Sequence, residues 1–214
     1  DHMRVLLNEQ ATLENLRSAL FEFLRRAIDT DFVSIYFSGH GTPEPGNPNN
    51  LYLLTYDSDP NKLATTAFPM WDVNPALSRH ITAKKVVIFT DECHSGGVLA
   101  TGIAEKGFVG GKSNLINRYL ADLANAKEGV VVFTASQAGE VSQEREDLGH
   151  GVFTYYLLEG LRGKAELDND YTVTVGELMD YVEDQVKRET NGNQRPLRSA
   201  TVFDYELPMS VLPH

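Results

Sequence analysis

Two residues of this chain carry side chains that together could attack a carbonyl carbon, His40 and Cys93. A thiolate is a strong nucleophile, but a free thiol with the usual pKa of about 8.5 is mostly protonated at neutral pH. A nearby imidazole can take the thiol proton and later protonate a leaving amine. The attack creates an oxyanion, and the backbone N–H groups of Gly41 and Cys93 are suited to bind it. The pair therefore predicts nucleophilic catalysis by cysteine and histidine.

The segments that precede these two residues have the composition of buried strands. Asp31–Phe37 and Lys85–Thr90 are rich in β-branched and aromatic residues. The first runs into Ser38-Gly39-His40-Gly41, and the second into the segment that contains Cys93. Because the sites of parallel sheets lie at the carboxyl ends of strands, we expect His40 and Cys93 on the same rim of one sheet.

Strands alternate with helices along the rest of the chain. The remaining predicted strands are Arg4–Asn8, Leu51–Leu54, Gly129–Thr134 and Thr201–Phe203. Helices are predicted after a cap at Thr12, at Asp72–His80, Leu115–Ala126, Gly151–Leu161 and Thr174–Arg188, with loops at Gly39–Asn50 and Gly96–Gly111. This alternation predicts an α/β fold, with a mostly parallel central sheet and helices on both faces.

Length and composition restrict the class of protein. A chain of 214 residues, 42% of them hydrophobic, fits one globular domain. The net charge of −11 argues against nucleic acid as a partner, and no apolar run is long enough to predict a membrane span. A single cysteine excludes a disulfide framework within the chain and favours a reducing compartment, which we take to be the cytoplasm.

Simpler interpretations of the two residues remain open. A lone cysteine is usually a small buried hydrophobic residue, and a lone histidine is often a hydrogen-bonded structural group. A metal site formed by His40, Cys93 and His94 has few ligands, so no metal is assigned.

The two motifs resemble a known family. Ser38-Gly39-His40-Gly41 and Asp91-Glu92-Cys93-His94-Ser95-Gly96, whose histidine and cysteine are 53 residues apart, are similar to those of caspase-like cysteine peptidases. The sequence around the cysteine resembles the metacaspase and bacterial orthocaspase branch. The resemblance implies a caspase–hemoglobinase fold and a Cys–His dyad peptidase.

The same resemblance implies a specificity. Asp91 occupies the position that lines the substrate pocket, and Ser38 contributes a hydroxyl to it, so we expect cleavage after Arg or Lys. A carboxylate that only caps a strand end or a helix is the simpler interpretation of Asp91. Lys106, in the Gly-rich loop, and Lys112, directly after it, are candidates for self-cleavage.

Members of this family normally begin with a strand and a helix that precede the segment matching Arg4–Ile28. We do not find that unit, and expect a second polypeptide, most simply an amino-terminal piece of the same protein, to supply the strand between Arg4–Asn8 and Asp31–Phe37. The peptidase domain is assigned to residues 1–207. Residues 208–214 are interpreted as a tail or the start of a linker to a sensor domain.

Calcium is a possible cofactor, although the sequence does not require one. Many metacaspases bind it through acidic clusters, for which Asp57, Asp59 and Asp72 are candidates. The segment Glu166–Glu177 has some acidic spacing of a calcium loop, but Tyr171 stands where the turn favours glycine.

Two classes of function follow. The first is an endopeptidase that cuts protein or peptide substrates after Arg or Lys. The second is a catalytically silent caspase-like domain that serves as a binding or regulatory module. An unrelated α/β hydrolase is disfavoured because a Gly-x-Ser-x-Gly elbow is missing.

Overall fold

A computed structural model describes residues 2–92, 127–137, 140, 142–145 and 147–213. In chain order the described strands are β1 (Phe32–Gly39), β2 (Gly41–Glu44), β3 (Asn47–Leu53), β4 (Phe68–Pro69), β5 (Lys85–Glu92), β6 (Val130–Thr134), β7 (Glu144–Arg145), β8 (His150–Gly151), β9 (Thr172–Thr174), β10 (Leu197–Ser199) and β11 (Pro208–Val211). The described α-helices are α1 (Leu13–Ser18), α2 (Leu63–Thr66), α3 (Val73–Pro75), α4 (Val152–Glu159) and α5 (Val175–Glu189). Further helical turns at Ala19–Phe23, Leu24–Arg26, Met70–Asp72, Ala76–His80 and Gly160–Lys164 extend α1, α3 and α4.

The central sheet contains four described strands in the order β1, β5, β6, β10. The first three run parallel, and β10 pairs antiparallel with β6. Every residue of β6 is buried. Its continuous apolar sequence is typical of a strand that is covered on both faces.

Successive side chains of β5 point to opposite faces of the sheet and divide the interior into two cores. Val86 and Ile88 pack in the first core, with Val33 of β1 and the α1 segment. Val87 and Phe89 pack in the second core, against α4 and α5. The arrangement confirms the predicted α/β class, a mostly parallel sheet with helices on both faces.

Side-chain caps explain where two helices begin. Thr12 Oγ1 accepts a hydrogen bond from the backbone N–H of Asn15 at 3.2 Å, as predicted. Thr174 and Glu177 form a reciprocal capping box at the start of α5. Each such cap stabilises its helix by about 1 kcal/mol.

None of the described helices has the length and apolar character needed to cross a bilayer.

The loop predicted over Gly39–Asn50 is instead a hairpin, and that prediction is wrong in this region. β2 and β3 pair antiparallel, with Gly41 opposite Leu53, and Gly46 makes the turn with φ +83°. The Gly, Pro and Asn content suggested a loop, but the residues of β3 find a second partner in β4. Tertiary pairing therefore outweighs weak strand propensity here.

Three terminal predictions also differ from the structure. Residues 4–7 belong to no described strand, and Asn8–Gln10 forms a helical turn. Thr201–Phe203 is not a strand; β10, which precedes it, closes the sheet. The expected tail includes β11, which pairs with β9, and the backbone N–H of Leu212 donates to Tyr171 O at 2.8 Å. Residues 208–212 are thus part of the folded domain.

Gly129 at the start of β6 provides a test of the packing between β5 and β6. Its φ is +78°, and a Cβ at this position would lie 1.8 Å from the carbonyl oxygen of Lys84. We expect Gly129→Ala to lower the free energy of unfolding by about 2–5 kcal/mol, because it adds a backbone clash to left-handed strain. Urea unfolding followed by circular dichroism measures the change.

Gly192 is the matched control for this substitution. Its φ of +77° is nearly the same, but nothing lies within 4 Å of an added Cβ. Gly192→Ala should therefore lower the free energy of unfolding by only about 1–2 kcal/mol. Equal losses in the two variants would show that the Lys84 carbonyl moves away freely, contrary to the expectation.

Candidate active site

β1 and β5 lead the two sequence motifs to the same edge of the sheet. They are neighbouring parallel strands, and their last register pairs are Ser38 with Asp91 and Gly39 with Glu92. The next residue along one chain segment is His40, and the next along the other is Cys93. Cys93 lies outside the described residues, as do the glycine-rich loop with Lys106, the following Lys112 and the predicted helix 115–126.

The backbone around His40 is held by the β2–β3 hairpin. Its carbonyl oxygen accepts a hydrogen bond from Leu54 N at 2.8 Å, and Gly41 begins β2 directly afterwards. His40 itself is half-buried. The hairpin that the sequence did not predict therefore fixes the path of the chain at His40 and directly after it.

Asp91 is buried at the end of β5, with 4% of its surface exposed. Its carboxylate accepts a hydrogen bond from Ser142 Oγ at 2.7 Å and a second, short one from Thr154 Oγ1. A Cβ on Gly151 would lie 2.8 Å from Asp91 Oδ2, so the carboxylate occupies space that only glycine leaves open. Three residues that sequence reasoning did not single out thus form the surroundings of Asp91.

A chain of hydrogen-bonded polar groups extends from this carboxylate in two directions. On one side, the hydroxyls of Tyr36 and Thr154 lie 2.7 Å apart. On the other, Gln194 Nε2 donates to Ser142 Oγ at 3.3 Å and to the carbonyl of Ala135 at 2.9 Å. Gln194 is fully buried. The network connects the ends of β1, β5 and β6 with α4 and with the segment before β10.

Ser38 is exposed at the end of β1, opposite Asp91 in the register. Side chains of register partners in a parallel pair project to the same face of the sheet. The Ser38 hydroxyl and the Asp91 carboxylate therefore share one face, which is the face that carries the second core.

The β7–β8 hairpin, which contains Gly151, is secured by a group of charged and aromatic side chains. Arg145 on β7 forms ion pairs with Asp147 and with Glu189 on α5. Tyr156 donates its hydroxyl to Glu189 at 3.0 Å. Burial and this hydrogen bond raise the pKa of Tyr156 to about 12, so the phenol stays protonated. The hairpin is thereby connected to both helices of the second face.

The acidic residues considered for calcium have partners within the protein. Asp57 accepts from Leu13 N at 2.9 Å, and Asp72 forms an ion pair with Arg17 at 2.7 Å. Carboxylate oxygens of Glu166, Asp168 and Glu177 lie within 4.8 Å of one another. Hydrogen bonds within the turn before α5 account for that cluster, so we assign no ion to it.

Glu177 illustrates this structural role. It accepts hydrogen bonds from Leu167 N at 3.0 Å and from Thr174 N at 2.9 Å. Burial alone would raise the pKa of Glu177, but these backbone donors and the Thr174 hydroxyl keep it below the usual value. Tyr171, at the position where glycine was expected, has a left-handed φ of +65°.

A measurement of stability can test the hydrogen bond that Thr154 donates to Asp91. Thr154→Val removes the donor while keeping the shape, and leaves a buried carboxylate with one partner fewer. We expect the free energy of unfolding to fall by about 1–3 kcal/mol, measured by urea titration. Thr154→Ser keeps the hydroxyl and should retain most of the stability. A Val variant as stable as the Ser variant would contradict the importance of this bond.

Comparison with known proteins identifies the family to which the chain belongs. A sequence model of the caspase domain matches residues 2–205. Metacaspase-7 of Arabidopsis thaliana is 30% identical over 95 residues, which is 42% of this chain and 22% of that protein. The chain thus spans well under half the length of this relative.

A solved structure of a Geobacter sulfurreducens protein has a similar fold. It superposes with a TM-score of 0.60 at 18% identity, covering 98% of this chain and 83% of the other. The match over nearly the whole chain agrees with the predicted caspase–hemoglobinase fold. With residues 2–205 matched by its sequence model, the chain belongs to the caspase-domain family of cysteine peptidases.

Proposed function

We propose that this domain is an endopeptidase that cuts protein or peptide substrates after Arg or Lys through a dyad of His40 and Cys93. The observation that carries the proposal is the register of β1 and β5, which pairs Gly39 with Glu92. His40 and Cys93 are the next residues along the two segments. Neighbouring parallel strands that end at the same level bring such residues to one rim, where a dyad can form.

The reaction follows from the chemistry of the two groups. His40 takes the proton of the Cys93 thiol, and the thiolate attacks the carbonyl carbon of the substrate. The backbone N–H groups of Gly41 and Cys93 bind the oxyanion. The C–N bond then breaks, and the imidazolium of His40 protonates the leaving amine. Water, activated by the same imidazole, hydrolyses the thioester and restores the thiol.

The preference for a basic residue is inferred from Asp91 and Ser38. A carboxylate can accept about four hydrogen bonds, and the hydroxyls of Ser142 and Thr154 use two. Among the described residues, no Lys or Arg forms an ion pair with Asp91. A buried carboxylate of this kind is stabilised when a substrate guanidinium or ammonium group supplies the missing charge.

Labelling with two matched electrophiles tests this function. A peptidyl chloromethyl ketone ending in arginine should add one label to Cys93, shown by intact mass and peptide mapping. The same peptide ending in aspartate should react at least about 100-fold more slowly, because its carboxylate is repelled by Asp91. Faster labelling by the aspartyl reagent would overturn the specificity. No labelling by either would favour the silent binding module.

We also propose that the enzyme acts in a reducing compartment of the cell. The nucleophile is the single cysteine of the chain, and oxidation of its thiolate would end activity. We therefore place the enzyme in the cytoplasm, where thiols are kept reduced.

A further inference from the structure

The carboxylate of Asp91 receives one hydroxyl proton on each of its two oxygens. Ser142 Oγ donates to Asp91 Oδ1 at 2.7 Å, and Thr154 Oγ1 donates to Asp91 Oδ2. A hydroxyl has a single proton and two lone pairs. Both hydroxyls have therefore given their proton to Asp91, and in any further hydrogen bond their oxygen must be the acceptor.

This requirement identifies the donor behind each hydroxyl. The oxygens of Tyr36 and Thr154 lie 2.7 Å apart, and since the Thr154 proton points to Asp91, the phenol of Tyr36 is the donor. On the other side, Gln194 Nε2 donates to Ser142 Oγ at 3.3 Å. Two chains of donors thus converge on Asp91, one that begins at Tyr36 and one that begins at Gln194.

The bonds to Asp91 leave a defined set of acceptor sites. A carboxylate has about four such sites, two on each oxygen. Among the described residues, one hydroxyl occupies one site on each oxygen, so one site on each oxygen remains. A guanidinium binds to two such sites with parallel N–H···O bonds, which requires a fixed carboxylate plane. An ammonium binds as a point charge and depends much less on that plane.

The bond from Tyr36 helps to fix the plane of the Asp91 carboxylate. Thr154 lies in the first turn of α4, where a threonine hydroxyl can instead donate to a backbone carbonyl one turn earlier. The Tyr36 phenol restricts this rotation, because it keeps its bond only while the lone pair of Thr154 faces β1. The Thr154 proton is thereby held toward Asp91 Oδ2.

We propose that Tyr36 is a positioning residue that gives the pocket a preference for arginine over lysine. It acts through Thr154 to keep the Asp91 carboxylate in an orientation that a guanidinium can pair with at both oxygens. The inference rests on the proposed peptidase function and specifies which basic residue is preferred. Tyr36 is also suited to substitution, since it is 45% exposed, whereas Gln194 is fully buried.

Tyr36→Phe tests the proposal, because it removes the phenol hydroxyl and keeps the ring. We expect kcat/KM for a peptide ending in arginine to fall about tenfold, mainly through a higher KM. For the matched peptide ending in lysine, kcat/KM should fall no more than about twofold. Fluorogenic peptides that differ only in this residue measure both values. A residue with a merely structural role would lower both by the same factor, and that result would contradict the inference.

A double-mutant cycle shows whether the effect passes through Thr154. In Thr154→Val no hydroxyl remains for Tyr36 to orient, so the addition of Tyr36→Phe should change the Arg/Lys ratio by less than about twofold. If the tenfold effect persists in this background, Tyr36 acts on the substrate directly, and the positioning role is overturned.

Tyr171→Phe is the matched control. Tyr171 is 47% exposed, close to the value for Tyr36. It precedes α5, whereas Glu189, which pairs with Arg145 of the β7–β8 hairpin, ends that helix. The 15 residues of α5 span about 22 Å, so Tyr171 is remote from Asp91. The control should leave the Arg/Lys ratio unchanged.

Equilibrium binding separates this inference from the proposed peptidase function. In the Cys93→Ala chain the proposed nucleophile is absent, so titration calorimetry measures Kd for the intact arginyl and lysyl peptides. The arginyl peptide should bind about tenfold more tightly, and Tyr36→Phe should remove most of this difference. If the unsubstituted chain cleaves neither peptide, the peptidase proposal fails, but these two constants still decide the role of Tyr36. Equal constants, or a preference that Tyr36→Phe leaves unchanged, overturn the inference.

Discussion

Replacing Cys93 with alanine is expected to lower kcat/KM for an arginyl peptide by at least about 10⁴-fold, to the level of background hydrolysis. The proposed nucleophile is the single cysteine, so no other thiol of the chain can take its place. Removing the nucleophile or the base of a comparable catalytic unit lowers kcat by about 10⁶-fold. A fluorogenic arginyl substrate, assayed at high enzyme concentration, measures the loss.

His40→Ala should cause a loss of similar size, since nucleophile and base act as one unit. His80→Ala is the matched control. His80 lies in the helical turn after α3, where its ring contacts Phe21 at a centroid distance of 5.1 Å, away from the strand ends. It should retain activity. A Cys93→Ala variant that still cleaves at the wild-type rate would place the nucleophile elsewhere and refute the dyad.

The parts of the fold that could be predicted are those with strong local patterns. Apolar runs of β-branched residues located β1, β5 and β6, and the threonine cap at Thr12 located the start of α1. Because these three strands are parallel and adjacent, their carboxyl ends meet at one edge. The placement of the two motifs on one rim of the sheet thus followed from the sequence, and the structure adds that their strands are neighbours, with Ser38 opposite Asp91.

The surroundings of Asp91 could not be predicted, because they depend on contacts between distant parts of the chain. Ser142 and Thr154 lie 51 and 63 residues from Asp91, and neither is part of a motif with a fixed spacing. Only tertiary structure brings the two hydroxyls to the carboxylate.

Edge elements were the other source of error. The β2–β3 hairpin and β10 pair antiparallel, are short or contain Gly, Pro and Asn, and gain their order from a neighbour rather than from their own sequence. Residues 4–7 show the converse case. They have a strand-like pattern, but no described strand pairs with them, so the prediction of a strand was wrong in this structure.

Asp91→Asn is expected to lower kcat/KM for arginyl and lysyl substrates by about 30- to 5,000-fold, as for the loss of a charge pair worth about 2–5 kcal/mol. The substitution keeps nearly the same volume beside Gly151 and removes the negative charge. For peptides with a neutral residue before the cleaved bond, kcat/KM should fall little, because that residue does not pair with the charge of Asp91. A panel of matched substrates ending in Arg, Lys, Gln and Asp measures each ratio.

The substrate dependence separates specificity from folding. A variant that is merely destabilised loses activity toward all four substrates by the same factor. Asp184→Asn serves as a charge-matched control, since Asp184 is exposed on α5 and pairs only with the surface residue Arg188 among the described residues. It should leave all ratios unchanged. If Asp91→Asn lowers kcat/KM by the same factor for every substrate, Asp91 is a structural strand-end carboxylate. The basis of the Arg/Lys preference must then be sought in other residues.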